Sequence, residues 1–179
     1  MNRVAGTMAA VAAVVGALSA GCTTSSESAA PHIAPTGTPT TSQDPARAAV
    51  LATYTGMWGD YEKDASTANW QNPTLINDAT GKALLLFDEN LAVDSHHGWI
   101  GKGHAVLHPE IDTLAPVANP VAASVSDCAD LSNFLMYVAA TGALKDNVPG
   151  GRHLVQASLV KKDGQWKVSE LETGPSGSC

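Results

Sequence analysis

The chain reads as an α+β protein, with helices first and then four or five antiparallel strands. Three observations predict this. Residues 151–174, GRHLVQASLVKKDGQWKVSELETG, are two alternating runs joined at Asp163-Gly164. Residues 44–61, DPARAAVLATYTGMWGDY, repeat apolar side chains at helical spacing, and residues 121–128 and 133–140 add further apolar runs between them. A lone hairpin is marginal in water, so its apolar face requires more strands and helices packed on it.

Taken in order, the first helix has Asp44 placed to cap it and Pro45 at its first position. Val50, Tyr54, Met57, Trp58 and Tyr61 then make one apolar and aromatic face, either ordinary core or the lining of a cavity. Gly56 and Gly59 cost about 1 kcal/mol each against Ala and flank Met57-Trp58, marking a place of close packing. Trp70-Gln71-Asn72-Pro73 breaks the pattern. A second helix follows over 73–91, with Leu75, Ala79, Ala83, Leu86 and Phe87 on one side and Glu89-Asn90 and Asp94-Ser95 marking its end. Residues 96–104, HHGWIGKGH, read as a glycine-punctuated loop.

Residues 104–108 alternate weakly before Pro109, which suits an early or edge strand continued past a bulge by 110–114. Residues 121–128 are clearer: Val121, Ala123 and Val125 face one way, Ala122, Ser124 and Ser126 the other. Over 133–140 helical and strand periods compete, and the turn-rich stretches on either side favour a strand. The final hairpin sets Leu154, Gln156, Ser158 and Val160 against Val155, Ala157 and Leu159, with Trp166, Val168 and Leu171 after the turn. Its Asp-Gly connection is a strong short-range hairpin signal, and the hairpin is taken as the far edge of the sheet.

The N-terminus has Arg3, an uncharged small and apolar run, and then LSAGC at 18–22. A run this short ending in small residues has the form of an export signal rather than a membrane span. LSAGC resembles the lipobox of bacterial lipoproteins, with Ser19 where that family usually has a larger aliphatic residue. The resemblance implies a signal peptide over 1–21, a lipid on the Cys22 sulfur and a cell-membrane location on the extracytoplasmic face. Residues 22–44 are Ser-, Thr- and Pro-rich and too poor in large apolar groups to offset the entropy of ordering, so a disordered tether is expected. The domain is then 45–179, a suitable size for one core.

The formal charge is −7, from 10 Lys and Arg against 17 Asp and Glu, and no basic cluster interrupts that balance. Nucleic-acid binding is therefore disfavoured. With Cys22 committed to lipid, Cys128 and Cys179 remain as an even pair in an oxidising compartment, and a disulfide between them is expected.

Tyr54 and Trp58 on the first helix, Asp127-Cys128-Ala129-Asp130 closing a strand, the Pro149-Gly150-Gly151 turn and Asp163-Gly164-Gln165-Trp166-Lys167-Val168 in the last hairpin together resemble the NTF2-like fold over 45–179. The likeness is to the small exported members of actinobacteria in particular. It implies a cone: N-terminal helices packed on a curved antiparallel sheet of four to five strands, with a pocket at the open end. That family includes isomerases and dehydratases as well as non-catalytic binding domains, so fold alone does not select a function.

For binding, Tyr54, Trp58, Tyr137 and His153 are the residues taken to line the cone. For catalysis the resemblance points to an Asp or His general base, the candidates being Asp127, Asp130, His104, His108 and His153 with Tyr54 or Tyr137; both aspartates also have a plain role in shaping the turn. His96, His97, His104 and His108 are dense, yet His104 and His108 on a strand would stand about 13 Å apart, too far for one ion. No metal or cofactor is implied. The reading that absorbs most of the sequence is a membrane-anchored binding domain without catalytic activity, holding a small apolar ligand or an envelope protein; the alternative is a small-molecule isomerase or dehydratase.

Overall fold

The computed structural model describes residues 43–67, 70, 71 and 73–179. The signal sequence, Cys22 and nearly all of the tether lie outside the described residues. Two helices, α1 (Gln43–Ala65) and α2 (Gly81–His97), precede six strands: β1 (Trp99–Lys102), β2 (Glu110–Ala115), β3 (Ala122–Asp130), β4 (Leu135–Val138), β5 (Arg152–Lys162) and β6 (Gln165–Thr173). Helix α1 begins before Asp44, the residue read as its cap, and runs a turn beyond Tyr61.

The stretch expected as one helix over 73–91 is a 3₁₀ turn, Pro73–Asn77, followed by α2. The break is tertiary in origin. Val168 in β6 donates its N–H to Asp78 O and accepts from Thr80 N, both at 2.8 Å, so the edge strand takes over backbone groups that a continuous helix would have used. At its other end α2 continues to His97, placing His96 and His97 in its last turn. Gly98 stops it in the left-handed conformation, φ 67°, its N–H returning to Asp94 O and Ser95 O.

The expected single curved sheet closing into a cone is not what forms. Among the described residues there are two open sheets, β2-β3-β5-β6 with four antiparallel strands and β1-β4 with two. WIGK, read as loop, is strand β1; it pairs Trp99 with Val138 and Lys102 with Leu135, which draws residues 135–138 away from the main sheet. The segment read as an edge strand at 104–108 contributes only a bridge, Val106 to Asp130. Strands β2 and β6 stand at opposite edges of the larger sheet and are not paired to each other, so no barrel or cone closes.

The hairpin is as expected. Lys162 pairs with Gln165 across Asp163-Gly164, both at positive φ (51° and 83°), the backbone a tight turn of this kind requires. Val155, Ala157 and Leu159 turn inward with Ala123, Val125 and Ala129 of β3, and against them α1 and α2 lay Val50, Tyr54, Met57, Ala83 and Phe87. Gly56 has the close neighbour its position suggested: a Cβ there would lie 2.6 Å from Asp78 Oδ2, whereas Gly59 has nothing within 4 Å. Cys128 and Cys179 form the expected disulfide, with Cα atoms 5.8 Å apart.

Candidate functional site

Helix α1 presents one residue per turn, Tyr54, Trp58 and Tyr61, to two adjoining environments. At Tyr54 the interior is polar. The strict alternation of β3 turns Asp127 inward with Ala123, Val125 and Ala129, and it is only 3% exposed. The Tyr54 hydroxyl donates to Asp127 Oδ2 at 2.9 Å and the His108 backbone N–H donates to Oδ1 at 2.7 Å. Both carboxylate oxygens are thus answered, as a buried charge requires. Burial, and then the charge of Asp127, push the ionisation of Tyr54 far above the ordinary tyrosine value.

One turn further on, Trp58 and Tyr61 form one wall of a recess of about 400 Å³, completed by Phe87, Phe134, Leu86, Leu131 and Leu171, with Asn90 and Thr173 at its polar, exposed rim. The rings meet mostly at angles: Trp58 and Phe87 edge-on at 5.8 Å between centroids, Tyr61 and Phe87 tilted at 4.6 Å, Tyr61 and Phe134 tilted at 5.9 Å. Two glycines seat the walls. A Cβ on Gly101 of β1 would run into the Phe134 ring, and one on Gly150 would lie 2.8 Å from Leu131 Cβ. Burial, and then Asp94, raise the Tyr61 phenol to about 12.

Trp58 belongs to both environments. Its ring lines the recess, while its buried indole N–H has no acceptor in hydrogen-bonding geometry, although it lies near enough to the Tyr54 oxygen to oppose the rise in that group's ionisation.

The residues singled out from sequence part company here. Tyr54 and Trp58 are adjacent, but Tyr54 lies behind the recess wall. Tyr137 is on the separate β1-β4 pair, with the Lys102 ammonium 4.6 Å above its ring. His153 points both ring nitrogens at backbone carbonyls, Nδ1 to Gly174 O and Nε2 to Gly150 O, each at 2.8 Å. Of the aspartates, Asp130 shapes the turn: the Ser132 hydroxyl and N–H hold its carboxyl below the usual range. Asp127 is instead an interior group. The exposed His104 meets Glu62 at 2.8 Å, and His108 contributes a backbone N–H. Among the described residues, no three His, Cys, Asp or Glu side chains are grouped to hold a metal ion, and no helix is long and apolar enough to cross a membrane.

Tyr61, Phe87 and Phe134 complete the site that sequence reasoning only half assembled. Both of the chain's phenylalanines line the recess, a concentration visible only once β4 is known to leave the main sheet. For Asp127 the signal was present: it shares parity with Ala123 and Val125.

No family model and no curated protein matches the chain. Among solved structures it is similar to the intermembrane space region of the chloroplast protein ARC6, at 14% identity over 70% of this chain and 95% of that one, TM-score 0.42. An NTF2-like protein of unknown function from Shewanella oneidensis MR-1 aligns at 14% identity over 72% and 98%, TM-score 0.42. A protein provisionally named scytalone dehydratase, from Novosphingobium aromaticivorans DSM 12444, aligns at 16% identity over 76% and 99%, TM-score 0.38. All three are low-identity likenesses, and one of them is described as NTF2-like.

Proposed function

We propose that this domain takes a small, neutral, ring-bearing molecule into the aromatic recess. The observation that carries the reading is the recess itself: four aromatic side chains and three leucines around a volume suited to a small organic molecule, with no formally charged side chain among the lining residues. A charged ligand would leave its hydration there without a partner. N-phenyl-1-naphthylamine, a neutral fluorescent probe, should bind saturably. Thr173→Trp, which fills the recess from its exposed rim, should abolish that binding with little effect on folding. An unsaturable signal, or equal binding by the variant, would sink the proposal.

A specific observation favours chemistry over passive holding, in the manner of an isomerase or dehydratase. Asp127 and Tyr54 are a buried carboxylate and phenol beside Trp58, whose ring lines the recess and whose buried indole N–H lies near the Tyr54 oxygen. A ring ketone whose oxygen accepted that N–H would bring its acidic α-carbon toward the pair, with Asp127 as base and Tyr54 as proton donor. Since neither residue lines the recess, Trp58 must shift for the ketone to reach them. Deuterium exchange at the α-carbon of bound 2-tetralone, followed by NMR, tests this. Exchange above the buffer rate, lost in Asp127→Asn, supports catalysis; binding with exchange only at the buffer rate leaves passive holding.

Lipid anchoring through Cys22 on the extracytoplasmic face is part of the same proposal and rests on LSAGC. Expressed in a bacterial host, the chain should enter the detergent phase, and Cys22→Ser should not. A wild-type chain found in the aqueous phase would remove the anchor.

A further inference from the structure

The last residues form a strap. From Gly174 onward the chain folds back along β5: Gly174 N–H donates to Leu154 O at 2.8 Å, Gly177 N–H to Arg152 O at 2.7 Å, and Leu154 N–H to Ser178 Oγ at 2.7 Å. Ser176 Oγ reaches Gly150 O at 2.9 Å, and His153 spans the carbonyls of Gly150 and Gly174. The strap ends at Cys179, covalently bound to Cys128.

Two features mark that bond as more than a staple. Cys179 is exposed, which leaves the strap end of the bond on the side open to an incoming group. On the other side, Arg152 Nη2 donates to Cys128 Sγ at 3.1 Å. A guanidinium beside one sulfur of a disulfide makes that sulfur the better leaving group, because it stabilises the thiolate that departs. Asp130, opposite Arg152 in the β3–β5 register, shares the guanidinium's field but is already held by Ser132.

We propose that Cys128–Cys179 is a thiol–disulfide exchange site for an external dithiol, and that its reduction loosens the aromatic recess. The dithiol's thiolate attacks Cys179 Sγ, forming a mixed disulfide as the Cys128–Cys179 bond breaks. The bonding pair leaves on Cys128 Sγ as a thiolate beside Arg152. The dithiol's second sulfur, deprotonated, then attacks its first, closing the dithiol's own disulfide and releasing Cys179 as a thiolate that takes a proton from water. Two electrons pass from the dithiol to the cystine.

The link to the recess is structural. Freed at Cys179, the strap keeps only hydrogen bonds, and those bonds hold the Gly150–Gly151 turn. That turn fixes Leu131, through Leu131 N–H to Gly151 O at 2.8 Å and through the close approach of Gly150 to its Cβ. Leu131 and Thr173, the residue just before the strap, both line the recess. This second half rests on the ligand reading above.

The test uses the oxidised full chain. Limited 2-mercaptoethanol, with iodoacetamide trapping and peptide mapping, should place the mixed disulfide on Cys179 and the alkyl group on Cys128; the reverse pattern overturns the exchange site. Arg152→Gln should slow reduction by dithiothreitol by about three- to tenfold, and an unchanged rate also overturns it. Where that variant does not fold, the adduct map on the wild type decides alone. Reduction should weaken N-phenyl-1-naphthylamine binding by about threefold or more. Equal affinity before and after reduction overturns the link to the recess. No binding by the oxidised chain overturns the ligand reading instead and leaves the exchange site standing.

Discussion

Two neighbouring turns of α1 do opposite things with similar residues. At Tyr54 the helix delivers a phenol to Asp127, and every polar atom of that carboxylate is answered. At Trp58 and Tyr61 it delivers rings to a recess whose lining is not filled from within. The first is a closed polar tie between helix and sheet; the second is an open apolar surface. Stability should therefore depend most on the tie, and ligand affinity on the recess. Only Trp58 spans both.

The sharpest way to break the contrast is Asp127→Ala. It strands the buried Tyr54 hydroxyl, at about 1–3 kcal/mol for an unsatisfied donor, and takes the acceptor from the more accessible His108 N–H at a smaller cost, so roughly 2–4 kcal/mol of stability should be lost in urea unfolding. A loss under about 1 kcal/mol would show that water already serves the pair. Tyr54→Phe should cost less, about 1–2 kcal/mol, because Asp127 keeps the His108 N–H. The double variant should fall short of the sum of the two losses, since the two side chains share one hydrogen bond.

How far the sequence carried the fold depends on how local each determinant is. The final hairpin was readable because alternation and Asp163-Gly164 act within a few residues, and the Cys128–Cys179 pair because assigning Cys22 to lipid left one pairing among the three cysteines. Strand β1 was not readable: Trp99-Ile100-Gly101-Lys102 is short and glycine-bearing, and becomes a strand only by pairing with residues 135–138. The break before α2 was equally hidden, because β6 imposes it from some 90 residues away. Gly98 was misjudged for another reason; a left-handed helix stop and a loop glycine look alike in sequence. Tyr54 and Trp58 were legible as neighbours because helical spacing puts them on one face, although only Trp58 lines the recess. Asp127 was half missed because an acidic residue beside cysteine suggests a turn, and only β3 continuing to Asp130 makes it interior.

Alkaline pH compares the two regions through their tyrosines. Tyr61 in the recess is held to about 12 and Tyr54 at the tie higher still, each chiefly by burial. The unfolded chain releases these protons near pH 10 while the folded one retains them, so above that point the folded state binds more protons. Their contribution is thus fully present below pH 10 and is lost as pH rises, for Tyr61 through about 12. Urea midpoints measured between pH 9 and 12 should fall, and Tyr61→Phe should flatten part of the decline. A decline that Tyr61→Phe leaves unchanged would mean that the recess admits enough water to ionise Tyr61 normally.

The smallest expected effect separates the two glycines that flank Met57-Trp58. Gly59 is exposed and has nothing within 4 Å of where a Cβ would stand. Gly59→Ala should therefore give back the helix-propensity difference and stabilise the domain by about 0.5–1 kcal/mol. Gly56 faces the turn before α2, and its Cβ would press on Asp78 Oδ2 at 2.6 Å. The Asp78 carboxyl is itself raised by burial and then by the charge of Asp60, and moving it aside offsets the propensity gain. Thermal unfolding of the two alanine variants beside the wild type should raise the midpoint for Gly59→Ala alone. If both variants gained equally, the Asp78 carboxylate would be yielding freely, and the contact at Gly56 would carry no packing cost.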